Sequence, residues 1–555
     1  MSNKDENYCP RTVFLSGGSA LRGVSACLGY YAPTVEPKLS SVNLQAEDVG
    51  SALINLHHNS THLITCFDSG GSSYTLRKSH PGLPAVGDLR NRLCSLAQGH
   101  LKRTPANSVC SFQLYRVFTF RFPTLSKEKS ITEVTTTKWI QALVHKISII
   151  LKNDICDIDP HREEKSVSLA WYLYSILPKD ETSNSRDCTE FPGRLPPLHS
   201  HSAAMTVDPS ESNVGQCHYQ QLANILNEIT NRLAKVPSAA LHICATYLLR
   251  FVQHLPADFT LDRASLGNLV ITGAYLFHNC DLVMAIDAVR VCLGVDALVL
   301  PTSVDNYTLG AYLCDGRLVI GQHALTTKKN HRLHPAPRTE GAVREIFLVD
   351  MELVCNNCDT AVASFRASEV VQRVSTATAE SVNALAAADI ICYSVGSFYT
   401  SLIASILPRG IGTAIFNNVS SCRVFVPNML DDPEMVGISL HDAVKVLCDT
   451  LARDVMTSNS PESTHSADVA VLDTVAYRDV VSVVLINESS TYSQYSGSKM
   501  ESLAIISNNM KIRVVEDDIC AINPSSGMLE LSPEKFLRAL KLLVQPSLAT
   551  EDINS

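Results

Sequence analysis

Short apolar runs alternate with segments of helical periodicity along much of this chain of 555 residues. Residues 11–29 show the pattern first, because an apolar run there enters a Ser-Gly-Gly-Ser turn. Leu21, Val24 and Leu28 then follow at helical spacing. A second apolar run ends at Asp68, where glycine and serine residues follow at once. Strands that lead into glycine loops and helices predict an α/β sheet with ligand loops at the carboxyl ends of its strands.

The middle of the chain has a different, mainly helical pattern. Helical spacing is found at 137–152, 164–177, 219–235 and 238–254. The stretch from about 178 to 216 is rich in Ser, Pro, Asp and His, which is typical of a mobile loop. We therefore predict that 101–260 is a helical insertion between two parts of one core. Those core parts are 1–100 and 261–451, and 452–555 adds a flexible stretch and then a strand and helices.

The α/β pattern returns after the insertion. Apolar runs at 307–314 and 317–323 flank Asp315-Gly316 and predict a hairpin. Further along, DIICYSVGSFYTSLIASIL predicts another strand, glycine loop and helix.

Composition narrows the class of protein. Hydrophobic residues make up 45% and charged residues 18%, so a sizeable core is expected and global disorder is excluded. No apolar run reaches the roughly 18 residues of a membrane span, and the N-terminus lacks the apolar stretch of a signal peptide. The net charge of -9 argues against a general nucleic-acid surface. Most of the 18 cysteines lie in apolar runs, as in a reducing compartment, so we expect a cytoplasmic location.

Two glycine-rich segments near the N-terminus are candidates for phosphate binding. Ser16-Gly17-Gly18-Ser19 lies between a strand and a helix, so its amides are suited to an anion. A tight strand-to-helix turn explains the same residues equally well. Asp68-Ser69-Gly70-Gly71-Ser72-Ser73 combines a carboxylate with glycines and hydroxyls, which suits Mg²⁺ and phosphate together. The alternative is that Asp68 caps the next helix.

Three further segments carry polar residues at predicted strand or helix ends. In Gly87-Asp88-Leu89-Arg90-Asn91-Arg92, Asp88 and Asn91 share a helix face. Asp88 is either a catalytic residue or a helix cap that pairs with Arg92. The segments Ser265–Asn268 and Gly396–Ser401 place small residues and hydroxyls where an α/β sheet meets its ligand. Cys355 and Cys358 form a lone CxxC, too little for a zinc site.

Taken together, these segments resemble the CofD/YvcK family, which unites 2-phospho-L-lactate transferase with gluconeogenesis-factor proteins. The resembling pieces occur in family order: VFLSGGSALRGV, ITCFDSGGSSYTLRKSHPGLPAVGDLRNRL, SLGNLVITGAYLF, LVLPTSVDNYTLGAYLCDGRLVIGQ, ADIICYSVGSFYTSLIASILPRGIGTAI and RVFVPNM. The resemblance implies a Rossmann-like, three-layer α/β/α sandwich with a cleft lined by the glycine loops. The long insertion at 101–260 looks like that of the larger eukaryotic members.

The resemblance also implies which residues line the cleft. Asp68, Asp88 and Asn91 would be catalytic, and Asp68 would hold Mg²⁺. The residues that would bind the nucleotide and its phosphates are Gly17, Gly18, Ser19, Gly70, Gly71, Ser72, Ser73, Arg90, Gly267, Asn268, Gly396, Ser397, Tyr399 and Thr400. YvcK-like members usually have glycines at the positions of Ser16 and Ala20 of this chain, and they often have a second aspartate beside the one matching Asp68.

Three hypotheses about function follow. In the transferase branch, Mg²⁺ assists a hydroxyl acceptor in attacking a nucleoside-diphosphate-activated phospholactate. In the YvcK branch, the same cleft binds a nucleotide sugar or dinucleotide, and the role is regulatory. A scaffold that lost its site is the third. We expect the partner to be a nucleotide or a nucleotide-activated small molecule, with neither nucleic acid nor membrane involved. The sequence leaves undecided whether the chain forms a homodimer.

Overall fold

A computed structural model describes the two parts of the core and the helices beside them. The described residues are 10–18, 21–30, 59–67, 71–80, 82–103, 109–122, 212–234, 238–255, 259, 261, 264–321, 342–350, 370–429, 432–435, 437–459, 475–492, 495–523, 527 and 529–544. The predicted helices at 137–152 and 164–177 lie outside them, as do 178–211 of the predicted mobile loop. Residues 212–216, which we assigned to that loop, belong to a helix.

A seven-stranded parallel sheet forms the centre of the described structure, in the order β10-β9-β8-β7-β1-β2-β3. Its strands are short, and those nearest the centre are buried along their whole length, as expected for a parallel sheet between helices. The bounds are β1 Thr12–Leu15, β2 Ser60–Ile64, β3 Leu298–Pro301, β7 Ile390–Tyr393, β8 Cys422–Phe425, β9 Val483–Asn487 and β10 Arg513–Asp517.

Helices cover one face of this sheet and share a single apolar core with it. Phe14 of β1 points into this core, together with Leu93 and Leu226 from the helices. The helices on this face are α1 Arg22–Tyr30, α2 Gly71–Ser79, α3 Gly87–Arg103, α4 Val109–Thr119, α5 Ser212–Leu233, α6 Ala239–Gln253, α7 Leu266–Phe277, α8 Leu282–Cys292 and α14 Pro533–Val544. The described helices of the predicted insertion therefore pack into the same core as the sheet.

The opposite face of the sheet packs on a second apolar core. Val13 and Leu15, which alternate with Phe14, point into it. The helical elements here are α9 Ala379–Ala386, a π-helical segment Phe398–Ile403 that continues as α10 Ala404–Ile406, α11 Ile411–Asn417, α12 Leu440–Asn459 and α13 Lys499–Asn508. Two helical layers around a parallel sheet confirm the predicted Rossmann-like α/β/α sandwich.

Two small antiparallel sheets complete the described elements. One has the order β5-β4-β6, with β4 Tyr307–Leu313, β5 Leu318–Ile320 and β6 Val343–Asp350. Its β4–β5 hairpin turns at Asp315-Gly316, which confirms that prediction, and Gly316 has a φ of +85° that favours glycine. The other pairs β11 Cys520–Ile522 with β12 Leu529–Leu531. Two 3₁₀ turns occur at Pro433–Met435 and Tyr477–Asp479.

Candidate functional site

The strand order places a topological switch point at the centre of the sheet, between β1 and β7, and we call the space beyond the carboxyl ends of these two strands the crevice. The chain leaves β1 through β2 to the edge strand β3, and later returns to β7 on the other side of β1. The connections after β1 and β7 therefore run to opposite sides, and open parallel sheets bind ligands at such a switch point. These two connections carry Gly17-Gly18 and Gly396-Ser397. The two connections lie in contact, because a Cβ on Gly17 would be 2.7 Å from Oγ of Ser401, which follows Gly396-Ser397 in the connection after β7.

The loop after β1 also lies directly against the first turn of α3. A Cβ on Gly18 would be 2.3 Å from the backbone oxygen of Asp88 and 2.5 Å from its Cα. Real side chains do not reach such distances from backbone atoms, so only glycine permits this approach. We refer to Ser16-Gly17-Gly18 as the glycine loop.

Two residues of α3 hold the two ends of one peptide unit of the glycine loop. Arg92 Nη2 donates to the carbonyl oxygen of Gly17 at 2.6 Å and to Ser16 Oγ at 2.7 Å. Arg92 Nη1 donates to Ser25 Oγ on α1. The amide of Gly18, at the other end of the same peptide, donates to the Asp88 carboxylate. The structure therefore does not show Asp88 as a helix cap that pairs with Arg92. Asp88 lies in the first turn of α3, and Arg92 donates to Ser16, Gly17 and Ser25 instead.

A chain of hydrogen bonds continues from Asp88 to the start of α7. Asn91 Nδ2 donates to Asp88 Oδ1 at 3.4 Å, and Arg90 Nη2 donates to Asn91 Oδ1 at 2.6 Å. Arg90 Nη1 then donates to Ser265 Oγ. The predicted segment 87–92 thus connects the glycine loop to the predicted segment 265–268.

Gly267 and Asn268 lie inside the first turn of α7, where α3 and α4 meet it. A Cβ on Gly267 would be 2.7 Å from the backbone oxygen of Phe118 and 2.9 Å from Cδ of Arg90. Asn268 is 1% exposed. Gly267 therefore serves the close packing of three helices.

The hydrogen-bond network of α3 carries an excess of positive charge. Arg90 and Arg92 are buried, which lowers the pKa of each to about 10, so both remain charged at neutral pH. Burial raises the pKa of the partly buried Asp88 carboxyl, although the Gly18 amide, the Asn91 side chain, Arg92 and Arg90 oppose this shift. Two guanidinium groups thus face one carboxylate in this network, which favours binding of an anion.

Gly396 bends the loop after β7 and is fixed there by an asparagine. Its φ of +150° is rare for residues other than glycine. Asn428, which follows β8, accepts a hydrogen bond from the Gly396 amide at 3.0 Å and donates to its carbonyl oxygen at 2.6 Å. Gly396 and Ser397 are partly exposed at the crevice.

The helical segment that follows Gly396-Ser397 is capped by carboxylates of the chain itself. Asp432 Oδ2 accepts from the amide of Phe398 at 2.8 Å. Glu434 Oε2 accepts from the amides of Tyr399 and Thr400 at 2.9 Å, and Glu434 Oε1 accepts from Thr400 Oγ1 at 2.6 Å. These donors are occupied inside the protein, so we leave Tyr399 and Thr400 out of the ligand site proposed below.

Asp432 and Glu434 are polar residues of this region that our sequence analysis did not select. They lie in the acidic segment DDPEM, one residue after the strand-like RVFVPNM. Burial raises the pKa of Glu434, the charge of Asp432 adds to this shift, and the hydrogen bonds from Thr400 and Tyr399 oppose it. A run of acidic residues just beyond a strand was the available signal.

The loop after β2 is described in part. Ser19, Asp68 and Gly70 lie outside the described residues, so the structure gives no geometry for Asp68. Helix α2 begins at Gly71 and includes Ser72 and Ser73, and Ser73 is buried. Among the described residues, no three His, Cys, Asp or Glu side chains come together as a metal site would require. No described helix is long and apolar enough to cross a membrane.

Comparison with known families identifies the chain as a member of the CofD family. The family model described as 2-phospho-L-lactate transferase CofD matches residues 224–520, more than half of the chain. The match begins within α5, inside the segment that we predicted as an insertion.

Two curated relatives carry the name "Putative gluconeogenesis factor". The protein of Thermotoga maritima is 28% identical over 201 residues, which are 36% of this chain and 52% of the relative. The protein of Pasteurella multocida is 24% identical over 245 residues, which are 44% of this chain and 64% of the relative. The alignments thus span between about half and two thirds of these relatives. A crystal structure of a UPF0052 family member from Bacillus halodurans aligns with a TM-score of 0.47 and 15% identity, covering 96% of this chain and 99% of that one.

Proposed function

We propose that this chain binds a nucleotide-activated small molecule, with its phosphates at the crevice between the glycine loop and Gly396-Ser397. The observation that carries this proposal is the meeting of the glycine loop with the first turn of α3 at the switch point. The buried guanidinium groups of Arg90 and Arg92 support an anionic ligand there.

The reaction that we propose for this site is the one named by the family, transfer of a phospholactyl-type group to a hydroxyl acceptor. The acceptor oxygen forms a bond to the phosphorus next to the lactyl group. The bond between that phosphorus and the bridging oxygen breaks, and the nucleoside monophosphate leaves with the electron pair. The acceptor proton passes to a base or to water. Such chemistry depends mainly on positioning and on neutralising charge.

Asp68 is the one residue that we propose as a ligand of Mg²⁺. Asp88, the carboxylate that the structure describes at the crevice, already accepts hydrogen bonds from Gly18 and Asn91. The described residues by themselves therefore do not fit a metal site, and we derive no step through the ion. Asp68 is the residue whose substitution tests the prediction.

A thermal-shift panel tests ligand binding. It contains guanine, uridine and adenine nucleotides, nucleotide sugars and NAD, each with and without Mg²⁺. A ligand at about 100 times its Kd adds about 2.7 kcal/mol to the free energy of unfolding, which is a measurable shift. We expect a Mg²⁺-dependent shift with a nucleoside di- or triphosphate. Absence of any shift across the panel would contradict the proposed site.

Substitution of Asp68 tests the transfer reaction. We expect Asp68→Asn to abolish product formation while the melting temperature without ligand stays the same. Asp315→Asn, in the β4–β5 turn, is the matched control, because it also removes one carboxylate but lies outside the proposed site. Turnover of Asp68→Asn near that of the control would contradict a role of this carboxylate.

A regulatory protein that binds the ligand without turnover is the second candidate. The observation that favours it is the Asp88 carboxylate, which is engaged by the chain itself and so is less available as a base. The names of the two relatives agree with such a role. This candidate predicts a Mg²⁺-independent thermal shift with a nucleotide sugar or NAD, and no product.

A further inference from the structure

Arg92 is a buried cation whose hydrogen-bond acceptors, within the part of the chain that the structure describes, are all neutral. Its side chain is 0% exposed, and it donates to Ser16 Oγ, the Gly17 carbonyl and Ser25 Oγ. Removing a guanidinium from water costs free energy, and three neutral acceptors repay it less well than a carboxylate would. Stability of the fold therefore gives a weak reason for an arginine at this position.

The geometry around the Gly17–Gly18 peptide gives a better reason. The carbonyl of this peptide points to the guanidinium of Arg92, and its amide points to the carboxylate of Asp88. The negative end of the peptide dipole thus faces a cation, and the positive end faces an anion. A peptide turned by 180° would place its carbonyl against Asp88 and its amide against Arg92, and both contacts would be repulsive.

We propose that Arg92 is a positioning residue, which together with Asp88 fixes the orientation of the glycine loop for an anionic ligand. Because the Gly17 carbonyl is turned to a fully buried group, it does not face the crevice, where an oxygen would repel a phosphate. The effect on ligand binding rests on the function proposed above. The effect on the loop itself does not, and it is measured without ligand.

Hydrogen exchange of the full chain, read by mass spectrometry, tests the effect on the loop. We expect Arg92→Met to speed exchange of the peptide that covers residues 16–18 by about tenfold or more, the scale of one lost charge-assisted hydrogen bond. Arg423→Met is the matched control, because Arg423 is also buried and donates to a neutral carbonyl, that of Asp479 at 2.9 Å. It lies near the start of β8, at the opposite end of the sheet from the loops.

Binding of GDP, UDP and inorganic pyrophosphate, measured by calorimetry, tests the effect on the ligand. We expect Arg92→Met to weaken binding about tenfold or more, and Arg92→Lys to recover part of the loss because it keeps the charge. Arg423→Met should bind the three probes as tightly as the unchanged chain does, even if its free energy of unfolding falls as much as that of Arg92→Met. Equal weakening by Arg92→Met and Arg423→Met would overturn the proposal, because the effect would then follow stability alone.

The two proposals fail in different ways. Unchanged exchange at 16–18 in Arg92→Met would overturn the positioning role, whatever binds to the chain. Faster exchange in Arg92→Met alone would support the positioning of the loop. If the unchanged chain also bound none of the three probes, the nucleotide site would be contradicted while the role of Arg92 in the loop stood.

Discussion

Alanine in place of Gly18 is the sharpest test of the site geometry. The added Cβ would lie 2.3 Å from the oxygen, 2.5 Å from the Cα and 2.7 Å from the carbonyl carbon of Asp88. All three are backbone atoms in the first turn of α3, so no side chain can rotate out of the way. The glycine loop and α3 would have to separate.

The expected cost follows from comparison with two other glycines. Overpacking against side chains costs about 1–3 kcal/mol, and a rigid backbone neighbour raises this, so we expect Gly18→Ala to lower the free energy of unfolding by at least about 3 kcal/mol. Gly17→Ala meets the movable Oγ of Ser401 at 2.7 Å and should cost less. Gly23→Ala, in α1, meets nothing closer than 3.8 Å and should stabilise the chain by roughly 0.5–1 kcal/mol.

Urea denaturation of the three variants, with slopes compared, measures these differences. The order of stability should be Gly23→Ala, unchanged chain, Gly17→Ala and Gly18→Ala, from most to least stable. Gly18→Ala should also lose the ligand-induced thermal shift. If Gly18→Ala were as stable as Gly23→Ala, the close approach of the glycine loop to Asp88 would be wrong, and with it the geometry of the proposed site.

Two further predictions concern other close contacts and the internal carboxylates. Gly273→Ala would place a Cβ 1.8 Å from the backbone oxygen of Tyr247, where α6 crosses α7. In urea denaturation this variant should therefore lose more stability than Gly267→Ala, whose added Cβ would have its nearest contact at 2.7 Å. The reverse order would contradict the close crossing of the two helices. Glu434→Gln should cost about 1–3 kcal/mol, because an NH₂ group replaces one of the two carboxylate oxygens that accept hydrogen bonds from Tyr399 and Thr400. Burial raises the pKa of Glu434, so the folded chain holds its proton more tightly than the unfolded chain. This group therefore lowers the free energy of unfolding as the pH rises from about 4.3 through the folded pKa. Glu434→Gln should remove this fall from a plot of the free energy of unfolding against pH, and equal slopes in the two proteins would contradict the prediction.

The sequence was sufficient for the architecture of the core. Short apolar runs and helical patterns, together with glycine at strand ends, predicted the α/β sheet, the β4–β5 turn and the helix after Gly17-Gly18, because burial on both faces and turn geometry leave direct marks in a sequence. The loop at 16–18 and the segment 87–92, which begins α3, were selected as parts of one site, and the structure brings them into contact. The catalytic role of Asp68 stays a prediction.

Side-chain direction across long sequence distances could not be predicted. Arg92 was expected to pair with Asp88, four residues away, if Asp88 capped the helix. Its guanidinium instead contacts Gly17, 75 residues away, because the position of the glycine loop over α3 arises only when the sheet forms. The capping of Thr400 by Glu434 has the same origin, since it joins loops after two different strands.

The central pairing of β1 with β7 has a consequence for how the protein is made. Thr12 lies opposite Ile390, and the adjoining contact between Arg11 and Asp389 spans 378 residues. At roughly 5–20 residues per second, a ribosome needs on the order of 20–75 s to deliver β7 after β1. During that time the edge of β1 that pairs with β7 has no partner strand, and one side of the crevice is missing. The proposed binding at this crevice thus requires a part of the chain that is made late, and any ligand that stabilises the site acts after that point.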